Sequence, residues 1–280
     1  MLPEFSIDAT PPEMSLQINR MIRGITDEPD PFADEKEQSN RIALEAAPSV
    51  RELIARREDP LLTAIEFAIA GNSIDLGVST DLDVSHTLQK LVEDEEARIG
   101  AENPANFSLS ALKEDLTKAN SAAQGYSAGF SAEDRGQDSG RGTLLYVADN
   151  AGEIVFDMLF IEALKKEYPH LKIVVAVRAA PIINDATLED AERIGLTKLV
   201  PVIPSGSEAP GTLLSMCTRE FLDLFKTADV VIAKGQGNYE TLSDVERSIY
   251  LLFKTKCKVI ARHSGSEVGD IMLVRKQASD

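Results

Sequence analysis

Asp149 and Asn150 place a carboxylate beside an amide oxygen, directly after the apolar run TLLYVA (143–148) and just before a helical stretch starting at Glu153. Hard divalent cations take such oxygen donors, accept one or two carboxylates from a protein and keep positions open for water and phosphate. The same residue types also cap helices and form turns, so the pair by itself admits a purely local role. A second polar cluster follows the next apolar run. KIVVAV (172–177) leads into Arg178 and then Asn184-Asp185-Ala186-Thr187. Asp185 reads either as a third ligand or as a cap for the helix in ATLEDAERIG. Two acidic clusters on one sheet edge add weight to a shared cation, because independent caps need not converge, and the capping role stays open. Asp149 and Asp185 are also the carboxylates able to assist proton transfer.

Two further strand ends carry small residues. KLVPVI (198–203) runs into Pro204-Ser205-Gly206-Ser207, and DVVIA (229–233) into Lys234-Gly235-Gln236-Gly237-Asn238. Glycine and serine let backbone N–H groups come close to a phosphate, and Lys234 reads either as a phosphate's point charge or as a solvated lysine. Neither segment matches G-x-x-x-x-G-K-[ST] or G-x-G-x-x-G, which weighs against ATP and nicotinamide chemistry. His86, His170 and His263 lack metal-ligand spacing. Cys217 and Cys257 form neither a C-x-x-C pair nor a zinc pattern, and Cys257 reads as a small core residue.

The elements that must position these residues differ between the two halves. In residues 1–120, apolar residues recur at helical spacing: Ile18, Met21, Ile22 and Ile25; Leu61, Ile65, Ala68 and Ile69; Val84, Leu88, Leu91 and Val92; and Leu109, Leu112 and Leu116. Each stripe is expected to pack a core, giving an all-helical N-terminal domain. Residues 121–142 are rich in Ser, Gly and Ala and read as a linker or a mobile loop over the site. From 143 to 280, short apolar runs alternate with helical stretches. TLLYVA, KIVVAV, KLVPVI, DVVIA and KVIAR (258–262) are predicted as strands buried on both faces. The fold class is therefore α/β, a parallel sheet with helices on both faces behind a helical domain, and its ligand belongs at the carboxyl edge of the strands.

Composition narrows the partners. The chain has 280 residues, 43% hydrophobic, with a formal net charge of -17. Such a charge repels nucleic-acid backbones and anionic lipid surfaces. A small phosphate can still bind where a cation or a few donors reverse the potential within one cleft. No apolar stretch approaches the roughly 20 residues that span a bilayer, and MLPEFSIDATPPEM lacks the basic start and apolar core of a secretory signal. A cytoplasmic location is expected. Oligomeric state has no sequence signature here.

LLYVADNAGEIVFD, PIINDAT and VIAKGQGNYETL together resemble the metal-dependent damage-control phosphatases, once grouped as domain of unknown function eighty-nine. DPFADEK, the AIAGNSIDLGV segment with Asn72 and Asp75, and LLFKTKC extend the resemblance over most of the chain, the 121–142 segment excepted. Many relatives of the microbial branch carry a cysteine pair near the N-terminus, where this chain reads ATPPEMSLQ. The resemblance implies a helical domain packed on an α/β domain with a metal between them. It implies Asp149, Asn150 and Asp185 as metal ligands, Lys234 and Lys254 on the phosphate, and sugar phosphates or related metabolites as substrates.

The expected activity is hydrolysis of small phosphomonoesters, with Mg2+, Mn2+, Co2+ or Ni2+ as cofactor. Gly235, Asn238, Ser205 and Gly206 are expected near the phosphate, and Asn72 and Asp75 are expected to face the cleft or else to end a helix at Gly71. The alternatives are S-adenosylmethionine-dependent carboxyl methylation, which a strand ending in an acidic residue would allow, and non-catalytic binding of a phosphometabolite.

Overall fold

In the computed structural model, residues 9–71, 107–129 and 142–277 are described, with side chains omitted over 125–129. Six strands form one sheet: β1 (Thr143–Val147), β2 (Lys172–Val177), β3 (Val202–Pro204), β4 (Val230–Lys234), β5 (Ile249–Lys254) and β6 (Ile271–Lys276). Their order is β3-β2-β1-β4-β5-β6. The first five run parallel, and β6 closes the edge antiparallel to β5, with Lys254 opposite Ile271. After β1 the chain winds outward to β3, then returns to the other side of β1 for β4. That reversal leaves a crevice between the carboxyl ends of β1 and β4, where open α/β sheets bind ligands.

Strand residues alternate between two cores. Leu144, Tyr146, Val175, Ile232 and Leu252 face α5 (Glu153–Glu167), while Leu145, Val147, Val231, Leu251 and Phe253 face α7 (Arg219–Thr227), α8 (Gln236–Leu242) and α9 (Lys258–Ser264). The N-terminal helices join the first of these cores. α2 (Ala33–Arg56) contributes Ala43, Ala47 and Val50, α3 (Pro60–Ala70) is buried almost all round, and α4 (Leu109–Gly129) adds Leu112 and Leu116. The helical region and one face of the sheet therefore share a single apolar interior. Asp59 caps α3 by accepting from the Leu62 N–H at 3.1 Å, with Pro60 at the first helical position.

Several sequence-based expectations need correction. KVIAR is helix α9, not a strand: Ile260 and Ala261 bury side by side, Val259 is exposed, and left-handed Gly265 ends the element. A five-residue apolar run cannot by itself separate the two periods. The strands missed are β5 and β6, IYLLFK and IMLVRK. KLVPVI yields a strand only over Val202–Pro204, because Gly195 turns the chain into a 3-10 segment at Leu196–Lys198. α1 (Pro11–Thr26) buries Leu16, whereas Ile18 and Ile25 of the expected stripe are exposed. α4 runs on to Gly129, so the segment expected to lack helical order from Ser121 begins as helix. The stripe at Val84–Val92 lies outside the described residues.

Candidate active site

The loop after β1 and the loop after β2 are laced together by backbone bonds. The Ala186 N–H donates to Asp149 O at 2.7 Å, the Ala151 N–H donates to Asn184 O at 2.8 Å, and Asn150 and Asp185 form an antiparallel bridge. Asp149, Asn150 and Asp185 are thereby brought to one place, each less than a tenth exposed. Asn150 Nδ2 donates to Asp149 Oδ2 at 3.1 Å and to Glu153 Oε1 at 2.7 Å. That leaves its carbonyl oxygen for a cation. Gly235, after β4, packs directly on this group. Its backbone sits at φ 83°, ψ 161°, and a side chain there would overlap the Asp149 carboxylate. Glycine is required by both conformation and space.

Arg178, at the end of β2, lies under the carboxylates and is 1% exposed. Its Nε donates to Asp185 Oδ2 at 2.7 Å, and its Nη2 stands 3.7 Å from Asp149 Oδ1. Burial nonetheless raises Asp185 to about 7 against the pull of Arg178, and raises Asp149 above the usual carboxylate range. Burial likewise raises Glu153 to about 7.

Lys234 departs from its expected role. Its ammonium is 1% exposed and is held by Asp157 Oδ1 at 2.9 Å, Glu153 Oε2 at 3.4 Å and the Ala68 carbonyl. Burial would lower its pKa, but Asp157 and Glu153 overcome that and raise it. Lys234 is a buried counter-ion between α3 and α5, not a group presented to a ligand. Asp157 also accepts from the Tyr146 hydroxyl at 2.7 Å.

A polar cleft of about 320 Å³ opens above Asp149, Asn150 and Asp185. Pro11, Pro12 and Ser15 of α1 wall one side, and Ile183, Asn184, Gln236, Glu240 and Lys256 line the rest. Ile183 is a β-branched residue at φ 44°, a conformation that costs about 1–3 kcal/mol and that the surrounding ladder holds in place. Lys254 is absent from this lining. It ends β5, half-buried, and the exposed Lys256 two residues on faces the cleft near Asp149. The remaining expected phosphate contacts are internal. Asn238 Nδ2 donates to Ala148 O at 3.2 Å and Lys234 O at 2.6 Å, and its Oδ1 accepts from the Thr212 hydroxyl at 2.8 Å. Ser205 is fully buried, and Gly206 packs on the backbone of 216–218. Asn72 and Asp75 lie outside the described residues.

Arg178, Glu153 and Lys256 were not singled out by the sequence reading. Arg178 and Glu153 carried the same strand-end signal as Asp149. Lys256 was hidden because β5 had not been recognised.

The donor set fits a hard divalent cation. Among the described residues no three His, Cys, Asp or Glu side chains cluster as ligands, and the set here is two carboxylates and one amide oxygen. Beneath the cleft, Asp149, Asp185, Glu153 and Asp157 are buried, and the buried cations beside them among the described residues are Arg178 and Lys234. Asp157 Oδ2 has no hydrogen-bond partner among the described residues. An excess of negative charge buried this deeply favours a bound cation or proton uptake.

Known proteins share this arrangement of chain. An uncharacterized protein of Methanocaldococcus jannaschii is 34% identical over 96% of this chain and 81% of its own. A damage-control phosphatase of Pyrococcus horikoshii is 32% identical over 89% and 75%, and one of Archaeoglobus fulgidus 31% identical over 92% and 80%. The solved structure of a DUF89 family protein from Pyrococcus horikoshii superposes with a TM-score of 0.74 at 31% identity, covering 94% of this chain and 81% of that one. The model of the damage-control phosphatase ARMT1-like domain matches residues 1–272, so the chain belongs to the damage-control phosphatase ARMT1-like family.

Proposed function

We propose that this phosphatase is metal-dependent and hydrolyses phosphomonoesters of small metabolites such as sugar phosphates. The observation that carries the reading is the convergence of Asp149, Asn150 and Asp185 at the floor of one polar cleft at the sheet's switch point. A divalent ion held by these three residues would supply Lewis-acid charge to a phosphoryl oxygen and a more acidic water.

The chain's own residues supply the rest. Arg178 fixes Asp185 from below through its Nε donor. Asp149 is the freer of the two to take a proton from the attacking water, since Arg178 stands 3.7 Å from it and 2.7 Å from Asp185. Lys256, exposed in the cleft, would meet the phosphate as a point charge, the role expected of Lys234 and Lys254. Ser15, Asn184, Gln236 and Glu240 offer both donors and acceptors to the hydroxyl groups of a polyol. The cleft's volume suits a monosaccharide phosphate rather than a polymer. No described helix is long and apolar enough to cross a membrane, and we propose a cytoplasmic site of action.

Inorganic phosphate release from p-nitrophenyl phosphate and a panel of sugar phosphates tests this. EDTA should abolish it and Mn2+ restore it. A folded Asp149→Ala variant with normal metal content and normal turnover would refute the assignment.

A further inference from the structure

We infer that Asn40, on α2, is a positioning residue for the cation site, although α2 lines no part of the cleft. The inference rests on the metal-dependent reading above. Asn40 is 4% exposed, and both ends of its amide are engaged. Its Oδ1 accepts from the Gly152 N–H at 2.7 Å, and its Nδ2 donates to Asp190 Oδ1 at 3.0 Å. The orientation of the amide follows from chemistry, because an N–H needs an acceptor and a carboxylate needs a donor.

These two partners belong to the two ligand-bearing loops. Gly152 lies two residues beyond Asn150, at the turn that starts α5. Asp190 uses its other oxygen to accept from the Thr187 N–H at 2.9 Å and the Thr187 hydroxyl at 2.8 Å, two residues beyond Asp185. One side chain from the helical region thus ties the Asp149–Asn150 loop to the Asp185 loop. It is itself anchored. Lys36 Nζ, one helical turn earlier, holds Asp190 at 3.1 Å and Asp30 at 2.8 Å, and these carboxylates keep its pKa raised although burial opposes it.

Gly152 is shaped for this contact. Its φ is 80°, and a Cβ there would lie 3.0 Å from Ser39 Cβ and 3.5 Å from the Ser39 carbonyl, so α2 meets the turn backbone to backbone. Groups that orient ligands without touching the metal set its affinity through geometry. A shift of either loop changes the separation of Asp149 from Asp185, and Asn40 spans that degree of freedom.

The test titrates metal-free full-length protein with Mn2+ by calorimetry, beside a melting curve. Asn40→Asp keeps an acceptor for Gly152 but sets a carboxylate against Asp190, and it weakens Mn2+ binding by about 10- to 100-fold. Adding Asp190→Asn exchanges the two groups, so the carboxylate at 40 accepts from both Gly152 and the new amide. Affinity then returns to within about threefold of wild type, the coupling expected of residues in contact. Val50→Ala, fully buried on the same helix, lowers the melting temperature and leaves Mn2+ affinity unchanged. Unchanged affinity in Asn40→Asp, no rescue in the double variant, or an equal loss in Val50→Ala overturns the inference. A wild-type protein that binds no Mn2+ overturns instead the metal-dependent reading beneath it.

Discussion

Replacing Gly235 by alanine tests the cleft with one methyl group. The backbone at 235, φ 83° and ψ 161°, lies in a region essentially reserved for glycine, so any side chain costs about 1–3 kcal/mol there. The new Cβ would also overlap Asp149 Oδ2 and approach Asp149 Cβ to 2.9 Å. Relief requires the carboxylate to move by more than about 1 Å, and displacements of that size cost on the order of 100-fold in rate. The strain alone predicts a fall in melting temperature of about 2–5 °C for a chain of this size. The expected variant is folded, binds Mn2+ more weakly and releases phosphate at least about 100-fold more slowly. Phosphate release, calorimetric Mn2+ titration and a melting curve read the three quantities. Wild-type turnover and wild-type affinity in Gly235→Ala would show that Asp149 is not placed where the chemistry needs it.

Lys256→Ala should raise KM by about 10-fold or more with metal content unchanged, the worth of one charge-assisted contact to phosphate, whereas Lys254→Ala should stay within about twofold in the same steady-state assay. Lys234→Ala leaves Asp157 and Glu153 buried without their counter-ion, so it should destabilise the fold by about 3–5 kcal/mol in urea unfolding, and a variant of full stability would return Lys234 to the role of a surface charge. Burial pushes the Cys217 thiol up to about 11, and mass spectrometry after iodoacetamide at pH 8 should find it unmodified in the native protein and alkylated in denaturant.

The site's floor was legible because its signal is local. Asp149, Asn150 and Asp185 each follow an apolar run that does become a parallel strand, and strand ends are where such folds hold ligands. The lysines were misread for a related reason. Lys234 also ends a strand, but its side chain turns to the α5 face, and the periodicity of VVIAK gave no sign that Glu153 and Asp157 would wait there one helical turn apart. Lys256 follows β5, for which the sequence reading gives no strand, while KVIAR, expected as a strand, is helix; both are short apolar runs that periodicity does not separate. Asn40 had no local signal at all. Its partners are 112 and 150 residues away, and a lone asparagine on a polar helix face carries no mark of such pairing.

On the metal-dependent reading proposed above, the charge of the cleft would decide the order in which ligands enter. A phosphate dianion approaching the bare floor would meet Asp149 and Asp185, with Arg178 already committed to both from below. At an effective dielectric of about 20, each unscreened pair of like charges 4 Å apart costs about 4 kcal/mol. Lys256, the cation among the described residues that line the cleft, is exposed to solvent and returns much less than that. The same carboxylates would become an asset once a divalent ion and Arg178 together outweigh their charge, because the local potential would then change sign while the surrounding surface of this acidic protein stays negative. On that reading, binding of cation and phosphate would be positively coupled, with phosphate held weakly without the ion. Such coupling would let a chain of net charge -17 select an anionic substrate at one point and repel polyanions everywhere else.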